Sequence, residues 1–467
     1  MVQLPFVNSY ARLPDSFHEK VKPTPVLQPF LIAANDGLAR ELGLNPDLLR
    51  TPEALAIFSG NTIPEGAEPI AMAYAGHQFA NFVPLLGDGR AILLGEIAGK
   101  DIQLKGAGQT PFSRRGDGRS TLGPVLREYL VSEAMHALGI PTTRALMAIG
   151  SGELVLREEP EKGGIFTRVA TSHLRIGTAQ YFAGRRNEAG LQQLVDYANQ
   201  RLYPDNGNAL DLLRSVIAKQ ARLVAQWMSV GFIHGVMNTD NMSLSGETID
   251  YGPCAFMDHF NPAQKYSYID QGGRYAYQNQ PGIAQWNLVR LAEALLPLFD
   301  PDQDRAVELA KGELERFPEL YESHHLEIFS RKLGHANRLE ESFLREFFDL
   351  MATQQADFTL AFRNLAKGPD DFLSLFKDGP PAREWLARWQ ALGPADTSLM
   401  NSMNPAFIPR NHRVEEALEL AQDEADLSVL HRLLDALTHP YLEKEAYKDL
   451  TLPPPPTAAP YQTFCGT

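Results

Sequence analysis

The sequence predicts an α+β protein of two lobes, a small antiparallel-sheet lobe followed by a larger, mainly helical one, with extensions at both ends. Three observations carry this. From Val83 to Gly106 short apolar runs alternate with turn residues (VPLL, GDGR, AILLGEI, AGKD, IQLKG), the pattern of neighbouring antiparallel strands. The run PVLREYLVSEAMHALG then sets Leu126, Leu130, Ala134 and Ala137 at helical spacing between Pro124 and the stop signal Gly139. Beyond Thr171 the long periodic stretches, SHLRIGTAQYF, ALDLLRSVIAKQARLVAQWMSVG and QWNLVRLAEALLPLF, are helical.

Taken in order, residues 1–80 mix Pro-rich extended pieces (VKPTPVLQPF) with a short helix in AANDGLARELGL, capped by Asn35 or Asp36 and ending near Gly43. They are expected to form an N-terminal extension wrapped on the neighbouring sheet lobe. Residues 81–171 are that sheet lobe, with a second strand pair, ALMAIGSGELVLREE and GGIFTRVA, after its helix. Residues 172–380 are the helical lobe, and 381–467 a C-terminal helical extension ending in the Pro-rich tail TLPPPPTAAPYQTFCGT.

At 467 residues and 44% hydrophobic, the chain can bury a large core. Lys and Arg total 43 against 57 Asp and Glu, a formal charge of −14, which argues against a nucleic-acid partner but leaves room for a local cationic pocket and a phosphate-bearing small ligand. No apolar run reaches the ~18 residues needed to span a bilayer, and the N-terminus lacks an export signal. The two cysteines, Cys254 and Cys465, exclude a disulfide framework and a thiolate zinc cluster. A cytoplasmic monomer with no membrane partner is expected.

The chemistry-bearing residues occur in the order of a protein kinase. In HGVMNTDN, His234 precedes Asn241 by the spacing that separates the catalytic-loop histidine of a kinase from its metal-binding asparagine. The kinase base position is Val236, which cannot take a proton, yet Asp240 stands immediately before Asn241. TIDYGP puts Asp250 in an Asp-aromatic-Gly turn, where a kinase keeps its magnesium-binding aspartate. IQLKG sets Lys105 on a strand, and Glu128 comes next on the helix, matching the kinase lysine–glutamate pair; Glu133 is the weaker partner. Singly these are a snorkelling lysine, a solvated helix face and a common turn. Together and in register they form a constellation. An amide and a carboxylate are hard ligands, suited to Mg²⁺ or Mn²⁺ held jointly with phosphates.

Two Arg/Gly/Asp loops flank Lys105. GDGR reads as a hairpin turn whose Gly87 and Gly89 also admit a phosphate to the backbone beside Arg90; RRGDGRS, with Asp117 and Gly118, repeats the composition. FTRVATSHLRIGT adds Arg168 and Arg175. If Ser172 caps a helix, Arg175 lies in its first turn, where a buried arginine calls for an anion. Exposed solubilising arginines are the alternative.

These runs resemble the selenoprotein O family of kinase-fold protein adenylyltransferases, from YAGHQFANFVPLLGDGRAILLGE through IQLKGAGQTPFSRRGDGRSTL, REYLVSEAMHALGIPTTRAL and HGVMNTDNMS to TIDYGPCAFMD. The resemblance implies a protein-kinase-like two-lobed fold that binds ATP in reversed orientation and transfers AMP to Ser, Thr or Tyr hydroxyls of proteins. It implies that Lys105, Arg168 and Arg175 hold the inward phosphates, with Glu128 positioning Lys105. Gly87, Gly89, Arg90, Asp117, Gly118 and Asp250 would contact the nucleotide, Asn241 and Asp250 would bind Mg²⁺ or Mn²⁺, and Asp240 would be the general base. A cysteine near the C-terminus is common in bacterial members, and Cys465 fits. The second cysteine some of them carry after Asp-Tyr-Gly falls here at Tyr266, so Cys254 is either a substitute redox partner or, the favoured reading, a small buried residue. Alternatives are UMP transfer with Mn²⁺ at the same site, γ-phosphoryl transfer, and a non-catalytic ATP-binding scaffold.

Overall fold

The computed structural model describes residues 4–455 and 459–464. Its sheet lobe is an eight-stranded antiparallel sheet in which β1 (His18–Lys20), β3 (Ile70–Met72), β6 (Ala91–Ile97), β7 (Lys100–Lys105), β10 (Pro160–Ala170), β9 (Arg144–Leu156) and β2 (Phe30–Ala34) are neighbours in that order, and β8 (Ser120–Thr121) pairs with β10. The segment before residue 81, read from sequence as a wrapping extension, therefore contributes three strands to the sheet itself. Those strands are three to five residues long, too short for alternation to announce them.

The β6–β7 hairpin forms where AGKD predicts it: Ala98 and Gly99 both take positive φ (50° and 73°), the two-residue turn that matches strand twist. GDGR is not a hairpin turn. The strand before it, β5 (Asn81–Val83), pairs with β4 (Gly76–Gln78), leaving GDGR to lead from that small hairpin into β6. Asp88 turns inward instead, its Oδ2 accepting from Met72 N at 3.2 Å and Gln103 Nε2 at 3.1 Å.

Alternation assigns the two sheet faces. Ile102, Leu104, Ile165 and Val169 point toward the outer layer, where Leu38 and Ala39 of α1 (Asp36–Glu41) and Phe58 of α2 (Pro52–Phe58) complete a compact core. Gln103, Lys105, Phe166 and Arg168 share the opposite face, since Phe166 lies across from Lys105 and Arg168 from Gln103. That face meets α3 (Leu122–Ala137).

The same apolar cluster runs on into the helical lobe, through α4 (Ile176–Ala183), α5 (Glu188–Leu202), α6 (Ala209–Ser229) and α7 (Gln280–Leu295). Between α6 and α7, β11 (Phe232–Ile233) pairs with β12 (Ala255–Phe256), so a miniature sheet brackets the segment from His234 to Cys254. The C-terminal helices Asn411–Glu419 and Ser428–Leu437 return to pack on α3. Arg410, fully buried, bonds Asp258 and Asp357 at 2.6 Å each and fixes that return. Among the described residues no helix is long and apolar enough to cross a membrane.

Candidate functional site

Strand register brings Lys105 and Arg168 to one face, and the helical spacing of α3 turns Glu128 toward them. Lys105 Nζ lies 2.5 Å from Glu128 Oε2, and Arg168 grips Glu128 Oε1 through Nε (2.9 Å) and Nη2. Asp250 enters from the helical lobe. Its Oδ1 accepts from Lys105 (2.9 Å) and Arg168 (2.5 Å), and its Oδ2 from Arg175 Nη1 (2.9 Å). Asp250 holds φ +65°, a left-handed conformation uncommon for aspartate, sustained here by three cationic partners. Glu133 is not part of this cluster; it pairs with Arg144.

Three cations thus surround two carboxylates, largely shielded from solvent. Arg168 is 1% exposed and Arg175 3%, which rules out the reading of solubilising surface arginines. Burial alone would raise Asp250, but Arg168, Lys105 and Arg175 hold it well below the usual carboxylate range. Glu128 is likewise lowered, by Arg168 and then Lys105 acting against burial. The site carries an excess of positive charge in a low-dielectric setting, the electrostatic condition for taking up an anion.

Arg175 does not sit inside a first helical turn capped by Ser172. Ser172 Oγ accepts from Leu174 N in a local turn, α4 starts only at Ile176, and Arg175 is itself the residue at the helix cap. Freed from helical geometry, its side chain lies over the Tyr74 ring (4.8 Å), reaches Asp250, and donates from Nη1 to the backbone oxygen of Asp240 at 2.5 Å.

Asp240 lies in a short turn, Thr239–Asn241, under the β4–β5 hairpin. Its Oδ2 receives a long hydrogen bond from Gln78 Nε2 (3.4 Å), whereas Oδ1 is buried with no partner among the described residues. Burial, opposed by Arg175, pushes its pKa up to about 6. Asn241 donates Nδ2 to the backbone oxygen of Val236 at 3.0 Å, so the residue in the kinase base position orients the asparagine through its main chain, and among the described residues Oδ1 takes no hydrogen bond. His234 is buried, its Nε2 at 3.0 Å from Ile249 O, where it ties the Asp240 turn to the Asp250 turn.

The two Arg/Gly/Asp loops differ. Gly87 and Gly89 lie against Phe112: a Cβ on Gly87 would fall 2.2 Å from its ring. Arg90 stands at the edge of a cavity that also touches Lys105. Asp117 and Gly118 stay outside the charge cluster, Asp117 being held by Arg157 and by Arg119 N. Sequence reading missed Asp88, Gln78 and Tyr74. For Gln78 the only sequence signal is its place in the long matching run YAGHQF. Cys254 is buried, its thiol pushed up to about 12 by burial, as a packing residue; Cys465 lies outside the described residues.

A family model described as Protein adenylyltransferase SelO matches residues 1–438. The chain belongs to the SelO family. Its curated relatives include the Protein nucleotidyltransferase YdiU of Rhizobium meliloti (strain 1021), 53% identical with both chains covered in full, and that of Rhodopseudomonas palustris, 53% identical over 99% of each. The protein of the same name from Bradyrhizobium diazoefficiens is 52% identical, again over the whole of both chains. SelO membership therefore extends to residues 1–438 by the family match and to the full length by pairwise identity.

Proposed function

We propose that this SelO-family protein is a protein nucleotidyltransferase that moves AMP from ATP to a Ser, Thr or Tyr hydroxyl of an acceptor protein, using a kinase-like pair of lobes with the nucleotide reversed. The observation that carries this reading is Asp240: a buried carboxylate with an unpartnered oxygen, next to a cation-rich cluster, in a loop whose kinase base position is Val236. Lys105, Arg168 and Arg175 bind the β- and γ-phosphates, and Glu128 keeps Lys105 and Arg168 aimed. Gly87, Gly89, Arg90, Asp117 and Gly118 lie along the rest of the nucleotide.

In the reaction the acceptor oxygen attacks the α-phosphorus, the bond from that phosphorus to the α,β-bridging oxygen breaks, and pyrophosphate leaves. The hydroxyl proton passes to Asp240. A base near pH 6 is far better matched to this than an ordinary aspartate, because it is ionised at neutral pH yet basic enough to accept the proton late. The arginines, both nearly fully buried, neutralise charge gathering on the departing pyrophosphate.

Asn241 Oδ1 and Asp250 fit a hard divalent ion: one oxygen is uncommitted and the other belongs to a carboxylate held ionised. When bound, such an ion supplies charge neutralisation at the phosphates. Asp250 would hold the ion through one of the two oxygens that Lys105, Arg168 and Arg175 now share.

The test is the chemical identity of the product. Intact mass of a modified acceptor distinguishes a nucleotidyl from a phosphoryl adduct, and the reading predicts a nucleotidyl adduct that Asp240→Asn prevents. A phosphoryl adduct would reject it.

A further inference from the structure

Polar side chains clamp the Asp240 turn to its surroundings. Asn238 Oδ1 accepts from Phe79 N (3.0 Å) and from the Tyr275 hydroxyl (2.6 Å), and Thr239 Oγ1 accepts from His77 N (2.7 Å). On α7, Asn287 Nδ2 donates to Met237 O at 2.8 Å. These bonds gather His77, Phe79, Tyr275 and the neighbour of Asn287, Trp286, beside the turn. The His77 ring meets the Trp286 ring edge-on at 5.4 Å, and Phe79 meets Tyr275 at 5.1 Å. The tip of the β4–β5 hairpin is strained, since Phe79 and Ala80 both hold left-handed φ (48° and 67°) without being glycine. Strain of this kind collects at functional sites.

Two guanidinium groups stack on Trp286, that of Arg274 at 4.8 Å and that of Arg290 at 5.0 Å from the ring centre. Both arginines are half-buried, and each keeps a buried Nε with no hydrogen-bond partner among the described residues. Arg290 has one ion pair, with the half-exposed Glu293 at 2.6 Å. Arg274 has no carboxylate partner among the described residues, because neighbouring Asp270 is taken up by the backbone amides of Arg274 and Tyr275 (2.8 Å each). In a chain of formal charge −14, cations left short of carboxylates yet ordered on an aromatic ring are unusual. Stacking fixes the guanidinium plane in advance, so an arriving carboxylate meets its donors with less ordering left to do.

We propose that Arg274 and Arg290, ordered on Trp286, bind an acidic side chain of the acceptor protein that lies close in sequence to the modified hydroxyl. The inference rests on the nucleotidyltransferase reading and names the kind of segment it takes, an acidic stretch bearing Ser, Thr or Tyr. Phe82 on β5, 43% exposed and 5.0 Å from the His77 ring, supplies apolar contact beside the charges. The same two arginines repel segments with basic flanks, so the site selects among acceptors as well as attracting them.

The test uses a fluorescent peptide in which glutamates flank a serine, and its glutamine counterpart, titrated with the full chain while Mg²⁺ and excess inorganic tripolyphosphate fill the phosphate cluster. Wild type is expected to bind the glutamate peptide and to bind the glutamine peptide at least about tenfold more weakly. Arg274→Gln, and independently Arg290→Gln, should each weaken the glutamate peptide about tenfold, the scale of one lost charge-assisted hydrogen bond, with tripolyphosphate affinity unchanged. Equal affinity of wild type for the two peptides, binding of neither, or variants that bind as wild type does would overturn the inference. Parallel loss of tripolyphosphate affinity also overturns it, by assigning the arginines to the fold. Labelling of cell-extract proteins from α-labelled ATP tests the underlying reading separately. The glutamate peptide should compete with that labelling, and binding without competition would overturn the acceptor role. Absence of any transferred label would overturn the transferase reading itself, whatever the peptides show, and the acceptor role with it.

Discussion

Asp240 is the proton acceptor of the proposed reaction, and its burial has two measurable consequences. With the base at about 6, transfer activity should rise with pH through that value and level off above it, and Asp240→Asn should lower kcat by at least about 100-fold while ATP affinity holds. The second consequence is a stability cost. The folded-state pKa lies above the ordinary aspartate value of 3.8, so the folded protein binds the extra proton and stability falls as pH rises from about 4 to 6. Asp240→Asn should therefore stabilise the protein by on the order of 2 kcal/mol at pH 8 and by nothing at pH 4, read from urea unfolding at both pH values. An unchanged midpoint at pH 8 would show that the carboxylate is not penalised by burial. The meeting of Lys105, Glu128 and Asp250 was legible in sequence from motif spacing. The raised pKa was not, because it comes from burial under the β4–β5 hairpin, which sets Gly76, far away in the chain, against the Asp240 carboxylate; the hydrogen bond from Gln78 acts in the opposite direction.

The elements that aim these residues are small and tightly fitted. Gly76 begins β4 directly against Asp240, and a Cβ there would lie 2.5 Å from Oδ1 and 2.8 Å from Leu86 Cδ1. Gly76→Ala should displace the carboxylate and reduce turnover about 100-fold, as sub-ångström to ångström misplacement of a catalytic group does. Its melting temperature and tripolyphosphate affinity should stay near wild type. Simultaneous loss of fold would assign Gly76 to stability instead. The long elements, α3, β9, β10, α6 and α7, were readable from periodicity and stop signals. The GDGR turn and the start of α4 were not, because local composition favours a hairpin and a Ser cap, whereas inward bonds from Asp88 and Arg175 set the chain path.

Across the whole molecule, the C-terminal helices act as part of the site's frame rather than an appendage. They pack on the helix that carries Glu128, and Arg410 joins them to Asp258, just beyond the Asp250 turn, and to Asp357. Removing one partner of such a buried network leaves carboxylates unpaired. Arg410→Ala should cost about 3–5 kcal/mol in urea unfolding, with Arg410→Met, which restores packing alone, recovering only part of it. Full recovery by methionine would mean that packing, not charge, secures the return. From sequence the C-terminal region could be read only as helices and a Pro-rich tail, since nothing local signals which distant helix they will meet.

In the proposed reaction the α-phosphorus, not the γ-phosphorus, is the centre attacked beside Asp240. The most direct measurement compares protein-bound label after incubation with ATP labelled at the α- or the γ-phosphate, in Mg²⁺ and in Mn²⁺, with Asp250→Ala as control. Nucleotidyl transfer retains label from the α-position alone and loses it in the variant. Label retained from the γ-position alone would contradict it and make the protein a kinase whose base has moved.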